Sequence, residues 1–360
     1  MAVTAIPEQP FADPVTLWAV PVGELGGVGR HVLDVARTGL DGLRLVVLCP
    51  PGPLARELEA VGAAVVVSPD FGPAAGVRAS VRALRRNARR VGAAVVHTHL
   101  AYADVVAACA FATDRSVQLI STEHGIAGED LLYHGTRWRS RLSTHLHSAR
   151  LRRFDALIAV SESTRRTMLD KWNVPLPVTV IPNAVNARPV RTRAEEGGPR
   201  ILSLSRLAPE KRIDLLLRAM PLILERAPGA RLTVAGTGPD LESLRELAAD
   251  LGIVAAVRWP GFVDAWEAMG RHDVVVQLSA WENLSYTLLD ARAAGLRVVA
   301  TDVGGNSEIL PPANLLTGPT PQRVADAVLT APAVTAPEDR PGSVADMVRA
   351  ISAVTTEVIP

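Results

Sequence analysis

One pattern constrains this chain more than any other. Short runs of Val, Ile, Leu and Ala alternate with helix-patterned segments, and the alternation is played through twice. In the first round the strand-like runs are residues 15–20, 43–48, 63–67, 94–97, 117–121 and 156–160, with helices expected over 30–38, 54–61 and 79–91. Runs that are apolar at consecutive positions, rather than at every second one, suit a parallel sheet covered on both faces. Residues 186–200 then lapse into a polar stretch with Pro and Gly, which reads as a linker. A second round follows, with strands over 201–205, 231–235, 257–259, 274–278 and 298–300 and helices over 213–226, 240–251 and 285–294. Residues 311–341 are rich in Pro and Ala and poorly patterned, and an amphipathic helix is expected over 343–358. A chain of 360 residues is too long for one ordinary core. The fold class is therefore α/β, with two doubly wound, Rossmann-like domains. Their expected extents are 1–188 and 189–341, and a final helix within 342–360 would cross back to the first.

Composition narrows the partners. The formal net charge is +1, which asks for neither nucleic acid nor a membrane. Arginine supplies almost all the positive charge, and Lys171 and Lys211 are the only lysines. That scarcity makes Lys211 conspicuous. Cys49 and Cys109 lie in apolar runs and read as two buried small hydrophobes. Residues 1–14 lack the basic start and apolar middle of a signal peptide, and no apolar run approaches the roughly 20 residues that span a bilayer. A cytoplasmic location is the expectation.

In doubly wound sheets ligands bind beyond the carboxyl ends of the strands, so the loops there carry the functional signal. After the first strand comes Gly23-Glu24-Leu25-Gly26-Gly27-Val28-Gly29, whose bare backbone could approach a phosphate in front of a helix. The glycine spacing is not that of the dinucleotide-binding fingerprint. After the first strand of the second domain comes Ser205-Arg206-Leu207-Ala208-Pro209-Glu210-Lys211, with one planar cation and one point cation suited to a diphosphate. A later loop, Trp281-Glu282-Asn283-Leu284-Ser285, places a carboxylate and the amides of Asn283, Leu284 and Ser285 at a helix start, with Asp290 two turns further on. His124 follows the strand ending near residue 121 and is the histidine best placed to face a cleft. His97 and His99 end another strand, while His134, His145 and His147 fall in a polar helical region. None has the local spacing of a zinc motif, and no metal-ligating set is expected. An Asp-x-Asp pair is absent from the sequence, so phosphate charge is expected to be met by Arg, Lys and helix starts. The sequence also contains neither a Gly-x-Ser-x-Gly elbow nor a P-loop.

Taken in order, these segments resemble the retaining glycosyltransferases of the GT-B fold, specifically glycosyltransferase family 4. The likeness is densest in Arg206 to Lys211, Gly236-Thr237-Gly238, Gly261-Phe262-Val263, Trp281 to Gly295 and Gly304 to Glu308. It continues in the first half at Gly26-Gly27-Val28, His124-Gly125, Val160-Ser161-Glu162 and Pro182-Asn183. The resemblance implies two domains facing a central cleft and transfer of a sugar from a UDP- or GDP-sugar to a glycan or lipid-linked acceptor, with no cofactor and no metal. It implies that Arg206 and Lys211 bind the donor diphosphate, that Gly26 and Gly27 support it from the other domain, and that Glu282 meets sugar hydroxyls. Asn283, Leu284 and Ser285 would line the donor site, Asp290 would hold the ribose and His124 would lie beside the reacting sugar. Two positions depart from the family pattern: Asp290 stands where a glutamate is usual, and Ala184 follows Asn183 where glycine is commoner. The Arg82, Arg85, Arg86, Arg89 and Arg90 cluster, and the run Arg137, Arg139, Arg141, Arg150, Arg152 and Arg153, suggest an anionic acceptor or peripheral contact with the inner face of a membrane. Alternatives are a GT-B nucleotide-sugar epimerase and a degenerate, non-catalytic glycan-binding member.

Overall fold

The structure, a computed structural model, describes residues 13–125, 148–186, 188, 197–334 and 342–360. Two parallel sheets dominate it. The first contains β1 (Val15–Ala19), β2 (Arg44–Cys49), β3 (Val65–Val67), β4 (Ala93–His99), β5 (Gln118–Glu123), β6 (Ala156–Ala159) and β7 (Val178–Val180), in the order β3-β2-β1-β4-β5-β6-β7. The second contains β8 (Arg200–Leu204), β9 (Arg231–Ala235), β10 (Val257–Gly261), β11 (Val274–Gln277), β12 (Arg297–Thr301) and β13 (Leu315–Leu316), in the order β10-β9-β8-β11-β12-β13. In each sheet the chain winds outward from its first strand and then returns to that strand's other side. The winding therefore reverses between β1 and β4 and between β8 and β11. At those two reversals the flanking helices lie on opposite faces and leave a crevice.

The apolar runs are explained by burial on both faces. Leu17 and Ala19 pack with Val46, Leu48 and Val96 on one side, against α3 (Val77–Val91) and α4 (Ala101–Ala110). Trp18 and Val20 face the other way, towards Val47, Val95, Ile120 and α1 (Gly27–Thr38). Each such side chain, fully buried, contributes about 1.5–3 kcal/mol relative to exposure. The helix Val344–Glu357 belongs to this second layer. Val344, Met347, Val348 and Ile351 follow a helical repeat and enter the cluster that holds Trp18. Ser343 and Asp346 form a capping box at its start, and Asn186 Oδ1 accepts from the Val344 amide. The last helix of the chain thus packs on the first domain.

The structure differs from the sequence reading in several places. The helix after β1 starts at Gly27, so Gly27 and Gly29, expected in a loop, fall in its first turn. Residues 311–341 are not patternless: Pro321–Thr330 is a helix, capped by Thr320 with Pro321 in its first turn. Helix α4 was also not foreseen, because its alanine-rich sequence has little amphipathic contrast. Cys109 is exposed, while Cys49 is buried as expected. Ala103, Val106, Ala107 and Ala110 take the inner face of α4 and leave Cys109 on the outer one. Most of the expected linker lies outside the described residues, as do Arg137, Arg139, Arg141, His134, His145 and His147.

Arg150 and Arg153 are not surface cations. Arg150 Nε donates to Asp104 at 2.9 Å and a terminal nitrogen to Glu123 at 3.0 Å, with all three side chains no more than 2% exposed. Its guanidinium lies over the Trp172 ring. Arg153 donates to the carbonyls of Phe111, Asp114 and Val117. Thr98 and Ser121 hydroxyls complete the shell of Asp104. Burial pushes the Glu123 carboxyl up to about 7, partly offset by Arg150. A carboxyl whose folded value lies above its unfolded one stabilises the fold fully below the unfolded value, and that contribution is lost as pH rises through the folded value. Arg150→Met should cost about 3–5 kcal/mol in urea denaturation, because it leaves two carboxyls buried without their cation. The deficit should be larger at pH 8 than at pH 5, where Glu123 holds its proton.

Candidate active site

Both reversals of strand order point into one cleft. From the first domain come the start of α1, the end of β4 and the end of β5. From the second come the loops after β8 and β11. Gly26 is the N-cap of α1, with no side-chain cap and no acidic residue in the first turn. A carbon added at Gly27 would sit 3.6 Å from Tyr286 of the second domain, so this helix start lies at the junction.

The loop after β8 carries Arg206 and Lys211 on one turn, ended by a short 3-10 helix, Pro209–Lys211. Arg206 is 63% exposed and pairs with Glu210 one helical turn away. An exposed pair of this kind is worth only about 0.5 kcal/mol, so its guanidinium is available to a stronger anion. Lys211 pairs with Glu282, which also accepts from Ser279 Oγ at 2.7 Å. The amide of Ala280 donates to the Glu210 carbonyl at 2.7 Å, which ties the two loops together. The two cations leave one turn and are each held by a separate carboxylate.

Two close backbone approaches fix these loops. A carbon on Gly236, whose φ is +135°, would lie 1.9 Å from the Ser205 carbonyl oxygen beside Arg206. One on Gly304, at φ +56°, would lie 1.7 Å from the Glu282 carbonyl oxygen. Only glycine fits either place. The helix after the second loop runs from Tyr286 to Ala293, one residue later than the sequence suggests. Ser285 is its N-cap: the hydroxyl donates to Gln277 and accepts from the Leu288 amide. Asn283 and Leu284 precede the cap. The Asn283 carbonyl accepts from the Gly305 amide.

Asp290 is 1% exposed and accepts a two-point pair from Arg30 of α1, one bond of which is 2.8 Å. Arg30 also lies over the Tyr286 ring at 4.7 Å. Burial raises the Asp290 carboxyl above its ordinary range, and Arg30 offsets part of that rise. Arg30 was not anticipated from the sequence. Nor was a second clasp between the domains, in which Glu308 accepts the amides of Glu162 and Ser163 at 2.9 and 2.8 Å. Those amides open the helix Glu162–Lys171, where a carboxylate meets the positive end of the helix dipole.

His124 is half-buried just past β5 and shares a 2.8 Å hydrogen bond with His99. His31 of α1 joins them, its ring centre 4.8 Å from that of His124. Burial holds the His31 imidazole down at about 4 and keeps His99 and His124 well below the ordinary range. The expectation of no metal-ligating set rested on local spacing. The fold brings together histidines 68 and 25 positions apart, a grouping that local spacing does not show.

Both halves of the chain match families of known proteins. Residues 25–188 match the model described as "Glycosyltransferase Family 4", and residues 187–331 match "Glycosyl transferases group 1". The chain belongs to the family 4 glycosyltransferases. Among its family relatives, a Mycobacterium tuberculosis glycogen synthase is 28% identical over 327 residues, covering 81% of this chain and 78% of that one. A GDP-mannose-dependent alpha-(1-6)-phosphatidylinositol monomannoside mannosyltransferase of the same organism is 36% identical over 144 residues. That alignment covers 36% of this chain and 37% of the mannosyltransferase. The crystal structure of Anabaena HepE with UDP and glucose superposes with a TM-score of 0.75 at 20% identity, covering 96% of each chain. The fold is thus the GT-B fold of this family. Gly304→Ala should destabilise the family 4 fold here and weaken binding of a nucleoside diphosphate at least about tenfold, read by thermal unfolding and calorimetric titration.

Proposed function

We propose that this chain is a retaining glycosyltransferase that moves a sugar from a UDP- or GDP-sugar to a glycan or lipid-linked acceptor, without a metal cofactor. The observation that supports the reading is the turn after β8, which carries Arg206 and Lys211 together and joins Lys211 to Glu282 of the loop after β11. Breaking a glycosyl–phosphate bond builds positive charge on the sugar ring and negative charge on the departing diphosphate. Fixed cations placed at the diphosphate stabilise that separation.

Each residue has a role in this scheme. Arg206 leaves its weak pair with Glu210 for the phosphates. The Lys211 ammonium has three N–H donors, so it can keep Glu282 and still reach an oxygen of the diphosphate. The Gly27 amide, next to the Gly26 cap, faces the same group from the other domain. Glu282 takes sugar hydroxyls, with the backbone of Asn283, Leu284 and Ser285 around the donor. An ionised carboxylate accepts about four hydrogen bonds, and Arg30 uses two at Asp290. Asp290 is 1% exposed, so the ribose hydroxyls would reach it only if the Arg30 clasp shifts, and the shorter acid works together with Arg30. His124 donates a hydrogen bond to the reacting sugar.

In the transfer step the acceptor hydroxyl oxygen bonds to the anomeric carbon on the face the diphosphate leaves. The bond from that carbon to the phosphate oxygen breaks, and the hydroxyl proton passes to the departing phosphate. Retention follows from same-face attack, and an inverted anomer in the product NMR spectrum would overturn it. Arg82, Arg86, Arg89 and Arg90 form an exposed basic face on α3, suited to an anionic acceptor surface. No helix among the described residues is long and apolar enough to cross a membrane, so contact would be peripheral.

Arg206→Ala and Lys211→Ala test the reading directly. Each should weaken UDP or GDP binding by about tenfold or more in calorimetric titration, with thermal unfolding little changed for the exposed Arg206. Binding that survives in both variants sinks the assignment.

A further inference from the structure

The histidine cluster at the floor of the cleft has a geometry that hydrogen bonding among its members does not explain. His31, His99 and His124 each offer one ring nitrogen, and the three atoms lie within 4.8 Å of one another. Their ring centres are 4.8, 5.1 and 5.7 Å apart. Imidazoles bound at 2.0–2.1 Å to one tetrahedral ion place their ring centres roughly 5 Å apart. The rings therefore already stand close to where one ion would hold them.

Their proton states agree. Asn183 Nδ2 donates to the Leu284 carbonyl, which turns Asn183 Oδ1 towards His31 at 3.1 Å. His31 Nδ1 must then carry the proton, and its Nε2 keeps a bare lone pair. That Nε2 is buried and has no hydrogen-bond partner. Metal-bound histidines are typically oriented in this way, by a second polar group on the far ring nitrogen. His99 Nε2 is likewise buried without a partner. Only the bond between His99 Nδ1 and His124 Nε2 stands between the set and an ion, and either ring can shift its N–H to its other nitrogen without losing a proton. His97 is outside the set, bonded to Thr122 at 2.7 Å. His124 is half-buried and Gly125 exposed, so a fourth position opens to the cleft.

We propose that His31, His99 and His124 form a binding site for a borderline-soft divalent ion, with Zn²⁺ as the probe, whose fourth ligand is a water facing the cleft. Three neutral imidazoles suit such an ion, while Mg²⁺ prefers oxygen. Binding withdraws the His124 nitrogen from the cleft, so an ion held there opposes any use of His124 on a sugar. That consequence, unlike the site, rests on the proposed function.

The test is calorimetric titration of the full chain, free of any histidine tag, with Zn²⁺, alongside Co²⁺ titration followed by its visible absorption. One saturable equivalent is expected for Zn²⁺, a tetrahedral spectrum for Co²⁺ and no binding of Mg²⁺. His31→Ala and the milder His31→Gln should each weaken Zn²⁺ binding by more than tenfold. Asn183→Ala, which frees the His31 ring and also gives up the bond to the Leu284 carbonyl, should weaken it about 10–100-fold. The control His272→Ala, a half-buried histidine of the second domain bonded to Ala268 and Thr233, should leave Zn²⁺ binding unchanged. Absence of a stoichiometric Zn²⁺ site, an octahedral Co²⁺ spectrum, or unchanged affinity in both His31 variants overturns the proposal. Nucleoside diphosphate binding, measured on the same samples, is expected to persist, which separates failure of this site from failure of the transferase reading.

Discussion

A parallel sheet can be closed only by crossovers that cover both its faces, and everything else in this chain follows from that constraint. Once α1 and α2 (Pro53–Ala60) lie on one face of the first sheet and α3 and α4 on the other, the strand ends are the places left open for chemistry. The glycine-rich start of α1, the histidines after β4 and β5, and the charged loops after β8 and β11 all sit at such ends. They come from stretches far apart in sequence, yet they share one cleft because both sheets reverse their winding there.

The fold was legible because its signal is local. The helix Ile213–Arg226 and the strand Arg231–Ala235 begin and end where the apolar pattern says they should. Helix Pro321–Thr330 escaped because the Pro- and Ala-rich stretch around it reads as irregular. Its Thr-Pro start was nevertheless a helix signal in plain view. The candidate site was less legible. Arg206, Lys211 and Glu282 stand out by type and place, whereas Arg30 and Glu308 look like ordinary surface charges until the opposite domain arrives to pair with each. Charge was also the wrong guide for Arg150 and Arg153. A buried cation is tolerated only beside partners such as Asp104 and Glu123, and local pattern does not report pairing across 46 and 27 positions. His31 was invisible for the same reason.

The charges at the cleft neutralise one another. Lys211 is matched by Glu282, Arg206 by Glu210 and Arg30 by Asp290. A cleft lined by unmatched cations would repel itself and lower stability. Here the cations are parked on carboxylates, two of them reached through short loops. Gly236 and Gly304 hold these loops against their neighbours, so the charged side chains can rotate without a rebuilt backbone.

Glu308 gives the hinge between the lobes a property of its own. Its carboxylate caps a helix that belongs to the opposite lobe. Spreading the lobes strips that helix of its counter-charge and turns two amides over to water. Resistance to opening is thereby lodged partly in the integrity of one helical turn. A substitution that frays the first turn after Ser161 should loosen the jaw as effectively as one in the cleft itself.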